Sequence, residues 1–323
     1  MDANIKEKKQ LISADSKQKV LAFSSLIMMI IVFSIASPHF ATFSNFIGIL
    51  ISTAVTGLLA IGVTFIIITS GIDLSIGTVM TFGSVMTGVF ITFMGLPIWL
   101  GILGGILAST VAGIVNGSLT AKLKIPPFIA TLGMMMVAEG LNLVISGTKP
   151  IYFMHTPAFR KIAMGKFFNI PHAVFIFLGA AIVAGIILDK TVFGKYTYAI
   201  GSNEEAVRLS GVNVDRWKIA IYAFGGFFYG IAGVIMASRL NSAQPALGPG
   251  YELEAIAAVV IGGTSLSGGK GTILGTIIGA FIMSVLTNGL RILSIPQEWQ
   301  TVITGAIVII AVYTDILRRK KTA

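Results

Sequence analysis

Cysteine is absent from this 323-residue chain, and charged residues make up only 11% of it. The first absence removes disulfides, thiolate metal sites and thiol nucleophiles together. The second excludes an ordinary soluble domain, in which about a quarter of residues are charged. Histidine is scarce. His39, His155 and His172 fall in predicted outer loops or at a span edge, and none belongs to an H-E-x-x-H pattern. No nucleophile, base and carboxylate stand in a catalytic arrangement, which weighs against a membrane protease or transferase. No metal site and no catalytic residue is expected.

Apolar residues supply 55% of the chain. They recur in runs of about 20, each long enough to cross about 30 Å of hydrocarbon. The runs are continuous and do not alternate, which predicts helices and not barrel strands. The expected fold is an all-α, polytopic membrane protein with about ten spans: 20–37, 46–69, 76–94, 98–119, 128–146, 171–188, 217–238, 253–266, 271–290 and 299–316. The eighth is short. Residues 20–317 then form one membrane domain, between a tail at 1–19 and a basic end at 318–323.

The net charge of +10 suggests nucleic acid until its placement is traced. With the tail (Lys6, Lys8, Lys9, Lys17, Lys19) inside, Lys122, Lys124, Lys190, Lys195, Arg208, Arg216, Lys218, Lys270 and Arg318-Arg319-Lys320-Lys321 also fall inside. Only Lys149, Arg160, Lys161, Lys166, Arg239 and Arg291 lie outside. That is the positive-inside bias, with both termini cytoplasmic. The charge orients the chain in lipid; nucleic acid is not an expected partner. The polar residues before position 20 precede no prompt cleavage site, so residues 20–37 read as a retained span.

A polar island at 189–218 interrupts the apolar pattern. Ser202 or Asn203 can cap a short helix opened by Glu204 and Glu205, and Gly211 can end it. Such a knob between two spans suits docking by another protein; an ordinary hydrophilic loop is the alternative.

Glycines recur at helix spacing: Gly101, Gly104, Gly105 and Gly113; Gly225, Gly226, Gly230 and Gly233; Gly271, Gly275 and Gly279. Small residues so spaced let membrane helices approach closely. Two segments read as broken helices, 69–77 and 262–271. They are candidates for a gate or for interior contacts, with tight cytoplasmic turns as the alternative. Placing Leu74-Ser75 on Leu266-Ser267 suggests a trace of an internal repeat. Leu266-Ser267-Gly268-Gly269-Lys270 imitates nucleotide-binding motifs. Thr264 and Gly271 break the phosphate-loop pattern, however, and a membrane span precedes it.

Ionisable residues inside spans are costly and usually functional. Asp73 stands in the first break, where it either caps a helix beginning at Leu74 or serves the pathway. Glu139 is embedded in a span; Glu252 and Glu254 open the eighth. Span centres are nearly free of basic residues, which points to a neutral substrate. Ser75, Asn116, Asn142 and Asn288 are pathway candidates able to bond hydroxyls, or else pair helices.

The chain resembles the permease subunits of bacterial ABC importers for monosaccharides, and among these the ribose permeases. The resemblance spans about 38–316 and rests on Thr69-Ser70-Gly71-Ile72-Asp73-Leu74-Ser75-Ile76-Gly77, Phe128-Ile129-Ala130-Thr131-Leu132-Gly133, and Gly194-Lys195-Tyr196 with Gly201-Ser202-Asn203-Glu204-Glu205-Ala206. It continues through Arg208 to Val214, Ser242 to Pro245, and Gly250 to Leu266. It implies that Gly201–Gly211, between the sixth and seventh spans, is a coupling helix docking on a cytoplasmic ATPase through Glu204, Glu205 and Arg208. It also implies a second permease copy, an extracytoplasmic sugar-binding protein received by loops 147–170 and 239–252 (Gln244, Tyr251, Glu252, Glu254), and a place in the bacterial inner membrane among lipid. ATP and Mg would bind the partner ATPase, leaving this chain without a cofactor. The alternative is an ion-coupled secondary transporter in which Asp73 or Glu139 carries protons or sodium.

Overall fold

The computed structural model describes residues 20–320. The lysines of the tail and Lys321 lie outside the described residues, as do the side chains of Arg318, Arg319 and Lys320.

Helices dominate. A first apolar helix, α1 (Val20–Ala36), leads to α2 (Phe43–Ile68), whose Thr42 caps it by accepting from Asn45 N–H. The next elements are α3 (Ile76–Gly88), which continues into one π-turn at Val89–Phe93, α4 (Ile98–Ala121) and α5 (Pro127–Ser146). Short α6 (Pro157–Met164) precedes α7 (His172–Lys190), α8 (Val192–Ser202) and α9 (Glu204–Leu209). Long α10 (Val214–Leu240) is followed by α11 (Tyr251–Ile261), α12 (Ile273–Ile292) and α13 (Gln297–Lys320).

Among the described residues, seven helices are long and apolar enough to cross a membrane: α2, α3 with its π-turn, α4, α5, α7, α10 and α12. Each overlaps a predicted span. The expected eighth span is corrected: α11 has 11 residues, and at 1.5 Å per residue it covers only about 16 Å. Sequence hydropathy ran past its end because Gly262-Gly263 and Leu266 read as a continuation of the apolar run.

Helix α2 is the axis of the bundle, with 94% of its most apolar window buried. It packs on α10, α12, α11 and α7. Helices α4, α5 and α7 instead expose apolar faces, among them Leu103, Leu107, Val137, Val144, Ile182 and Ile186. An apolar exterior is stable against lipid and unstable against water.

The glycine clusters do what their spacing predicts. A Cβ at Gly226 would strike the carbonyl of Ser109, and one at Gly233 that of Met80, so α10 lies directly on α4 and α3. Likewise Gly275 faces the Gly262 carbonyl and Gly279 that of Ala258, which sets α12 against α11. Two small ladders depart from the all-helical expectation. β1 (Ile151–Tyr152) pairs with β4 (Ser242–Ala243), and β2 (Lys166–Phe167) with β3 (Ile170–Pro171), both antiparallel. They pair backbone groups that loops would otherwise leave unsatisfied.

Candidate functional site

The first break, 69–75, turns back from the end of α2. Thr69 N–H and Gly71 N–H both donate to Ile66 O, and Ser70 adopts a left-handed φ of 60°. Asp73 is buried, at 1% exposure. Its Oδ1 accepts from Ser75 N–H at 2.8 Å and from Ser75 Oγ at 2.6 Å, and the Tyr229 hydroxyl reaches Oδ2 at 3.4 Å. Asn116 Nδ2 donates to Ser75 Oγ at 2.9 Å. Leu74 N–H donates to Thr131 Oγ1 at 3.1 Å. Side chains from α4, α5 and α10 thus satisfy backbone and hydroxyl groups that a broken membrane helix leaves open. The expected cap is corrected in detail: α3 begins at Ile76, and Asp73 binds Ser75 ahead of it.

A second break, at 241–250, escaped the sequence reading. Asn241 ends α10 in the left-handed conformation, and Gly248 reaches the start of α3, where a Cβ on Gly77 would collide with the Gly248 carbonyl. Glu252 folds back, both carboxylate oxygens accepting from Gly250 N–H at 3.0 Å. Gln244 Nε2 donates to Ser242 Oγ at 2.9 Å, and Tyr251 is half-buried at the head of α11. Proline, alanine and glycine at 245–250 gave no apolar period from which a break could be read.

Both α3 and α11 begin halfway along the long helices beside them. In the first turn of α3, Val79 O accepts from Ser109 Oγ at 3.0 Å, at the middle of α4. In the first turn of α11, Glu254 accepts from Thr56 Oγ1 at 3.4 Å, at the middle of α2. The two breaks therefore meet at mid-bundle, at Gly77 and Gly248. The proposed pairing of Leu74-Ser75 with Leu266-Ser267 is corrected by this geometry. Leu74-Ser75 leads straight into α3 deep in the bundle, whereas Ser267 is exposed in a turn well before α12.

The remaining interior candidates bond other helices. Asn142 Nδ2 donates to Thr78 O at 3.1 Å, and Asn288 Nδ2 to Asn45 Oδ1 at 2.9 Å. Glu139 is half-buried on α5, in the same turn as the exposed Met136 and Val137.

The polar island folds as two helices and not one. Gly201 and Ser202 close α8; Asn203 caps α9, its Oδ1 accepting from Ala206 N–H at 2.9 Å, and Gly211 follows with φ 86°. Glu204 and Arg208 are already paired within the chain. Glu204 binds Lys218 and Arg208, while Arg208 and Lys124 share Asp215 at 3.1 and 2.9 Å. Partial burial pushes the Glu204 carboxyl up, but hydrogen bonds and attraction from Lys218 and Arg208 outweigh it and hold it below the usual carboxylate range. Outward from this clip stand Glu205 and Leu209, the latter 83% exposed. No local sequence signal marks Lys124, Asp215 or Lys218 as its partners, since only the fold brings them to α9.

The island is keyed into the bundle through backbone. A Cβ on Gly201 would collide with Ile68 O, and Gly269 N–H donates to that same carbonyl at 2.8 Å. Ser70 Oγ donates to Ser267 O at 2.6 Å, and the Tyr198 hydroxyl to Gly271 O at 2.7 Å. The end of α8, the end of α2 and the glycine-rich 262–271 turn form one knot. Of the two predicted broken segments, 69–77 proves an interior break and 262–271 a turn packed on the ends of α2 and α8.

Comparison with known proteins gives a consistent result. Residues 45–312 match the family described as "Branched-chain amino acid transport system / permease component". The chain is 42% identical over 307 residues to the ribose import permease protein RbsC of Bacillus subtilis (strain 168), covering 95% of this chain and 94% of the relative. It is 36% identical over 307 residues to the fructose import permease protein FrcC of Rhizobium meliloti, covering 92% and 85%. It is also 36% identical over 293 residues to the L-arabinose transport system permease protein AraH of Escherichia coli (strain K12), covering 91% and 89%.

Proposed function

This chain belongs to the branched-chain transport system permease family, and from that premise we propose that it is the membrane subunit of an ATP-driven importer of a neutral monosaccharide, ribose or a similar pentose. The relatives above are named for ribose, fructose and arabinose, which share many hydroxyls and carry no charge. Buried Asn, Ser, Thr and Tyr around the meeting of two broken helices suit such a solute. Irregular backbone at membrane depth is tolerated where it is packed in protein or lines a cavity.

The observation that carries the reading is the knot of Ile68, Gly201 and Gly269. It ties α8, and through it α9, to the end of α2 and to the turn that follows α11. Helices α2 and α11 each flank a break. A partner ATPase that moved α9 would move the breaks through backbone contacts, with no flexible side chain between. In this reading α9 is the coupling helix, docking through Leu209 and Glu205, with Glu204 and Arg208 holding it in shape. ATP and Mg reside on the partner, and this chain binds no cofactor and hydrolyses nothing.

The proposed assembly holds two permease copies in the bacterial inner membrane. Each crosses the membrane about ten times, counting α1 and α13, with one crossing made by the 241–250 break and half-length α11 together, and both termini are cytoplasmic. An extracytoplasmic sugar-binding protein docks over the opposite face, near Gln244, Tyr251, Glu252 and Glu254, and supplies most of the selectivity.

The test is ribose uptake into proteoliposomes holding this chain, alone and with its ATPase and binding protein. Uptake that needs all three and ATP supports the reading. Uptake by the chain alone under an ion gradient overturns it in favour of a secondary transporter.

A further inference from the structure

At the end of α7 opposite the coupling elements, a cavity of about 400 Å³ opens among Ile162, Phe167, His172, Phe175 and Ile176. It is an open groove, and its wall is apolar except for His172, whose Nδ1 lies 3.0 Å from Lys161 O. The hairpin of β2 and β3 forms one lip. Phe167 packs on Phe168 and on Phe175, at ring-centroid distances of 4.5 and 5.8 Å. Phe168 is 84% exposed at the turn and holds φ 48° beside Asn169 at φ 61°. A left-handed conformation is uncommon for a bulky residue, so the tip presents an aromatic ring where a glycine would be easier.

Two features say what covers this surface. Phe175 opens an exposed apolar row on α7 that continues through Leu178, Ile182 and Ile186, so the cavity is continuous with a face built for lipid. The charge on the lining elements is of one sign: Arg160, Lys161 and Lys166 are exposed on α6 and β2, which supply Ile162 and Phe167, and no Asp or Glu occurs between Glu139 and Asp189. Phenylalanine beside lysine and arginine suits the boundary between headgroups and acyl chains, and lysines at a bilayer surface attract anionic lipid.

We propose that this end of α7 is a binding site for a phospholipid with an anionic headgroup. An acyl chain occupies the cavity, Phe167 and Phe168 lie among the headgroups, and Arg160, Lys161 and Lys166 hold the phosphate. The proposal needs only that the chain sits in a membrane, so it stands or falls independently of which solute is carried.

The test is tryptophan quenching by brominated lipid, with Phe168→Trp as reporter and the unsubstituted protein as background. The exposed position should accept the larger ring, and an unchanged melting temperature checks that it does. In bilayers containing brominated-chain phosphatidylglycerol, quenching should exceed that by brominated phosphatidylcholine at equal mole fraction. Lys161→Gln and Lys166→Gln should each lower the preference about fivefold, as expected for one cation near an anionic surface. Equal quenching by the two lipids would overturn the headgroup site. Absent quenching, or quenching relieved by adding the extracytoplasmic binding protein, would overturn the lipid reading and make the hairpin a protein contact.

Discussion

The two breaks differ in what holds them. The one at 69–75 is locked by side chains: Asp73, Ser75, Asn116, Tyr229 and Thr131 come from four different parts of the bundle, and Asp73 and Ser75 are almost fully buried. The one at 241–250 is shaped mainly by backbone and glycine. Its carboxylate at Glu252 turns back on Gly250, and Gly250 itself is exposed. A buried polar network is costly to open because every member loses a partner in low dielectric. A glycine-shaped loop can change φ and ψ at little expense. The first break therefore reads as the fixed side of the mid-bundle contact and the second as the side able to move.

The sharpest way to break this comparison is Asp73→Ala. It orphans the Ser75 N–H and hydroxyl, at about 1–3 kcal/mol for each unsatisfied group, and should abolish folded yield as read by size-exclusion in detergent. Asp73→Asn keeps an acceptor and should fold; loss of transport in that folded variant would assign the charge itself to function. At the knot, Gly201→Val sets a side chain against Ile68 O. Overpacking of this kind costs about 1–3 kcal/mol, so uptake by the reconstituted importer should fall about tenfold or more while membrane insertion is kept. Normal uptake would sever the first break from the coupling elements.

Leu209→Ala removes an exposed apolar anchor and should weaken ATPase association by about tenfold, the scale of a moderate interface contact, with no change in melting temperature. Glu252→Ala, in the deformable break, should lower stability by less than about 1 kcal/mol, since its bonds are local and partly exposed; a large loss would show that this break is locked after all. The smallest effect concerns pH. The Glu204 carboxyl is held below its ordinary value of about 4.3 by Lys218 and Arg208. Its contribution is fully present above that value and is lost as pH falls through the lowered one. ATPase association should accordingly be flat between about pH 6 and 8 and weaken only below the ordinary carboxylate range, by less than the Leu209→Ala effect.

Much of this was legible beforehand. Continuous apolar runs predicted the helices because a chain in hydrocarbon must satisfy its backbone within each segment. The glycine spacings predicted close helix packing, though not which helices would meet. The capped island predicted α9, because Asn203 and Gly211 act within a few residues of the helix they delimit. What failed was of another kind. The eighth span was overextended because hydropathy cannot distinguish a half-length helix followed by an apolar turn from a full crossing. The repeat between Leu74-Ser75 and Leu266-Ser267 rested on local likeness, and the depth of the two segments differs.

Sequence by itself therefore determined the solvent of this protein, the place of its strongly apolar helices and the cap of α9, since each depends on composition or on neighbours along the chain. Only tertiary structure decided that α3 and α11 begin at mid-bundle, that Gly77 meets Gly248, and that Gly201 is pressed on Ile68. These are contacts between residues far apart in sequence. Their geometry is set by how closely whole helices pack, and no single segment carries that information.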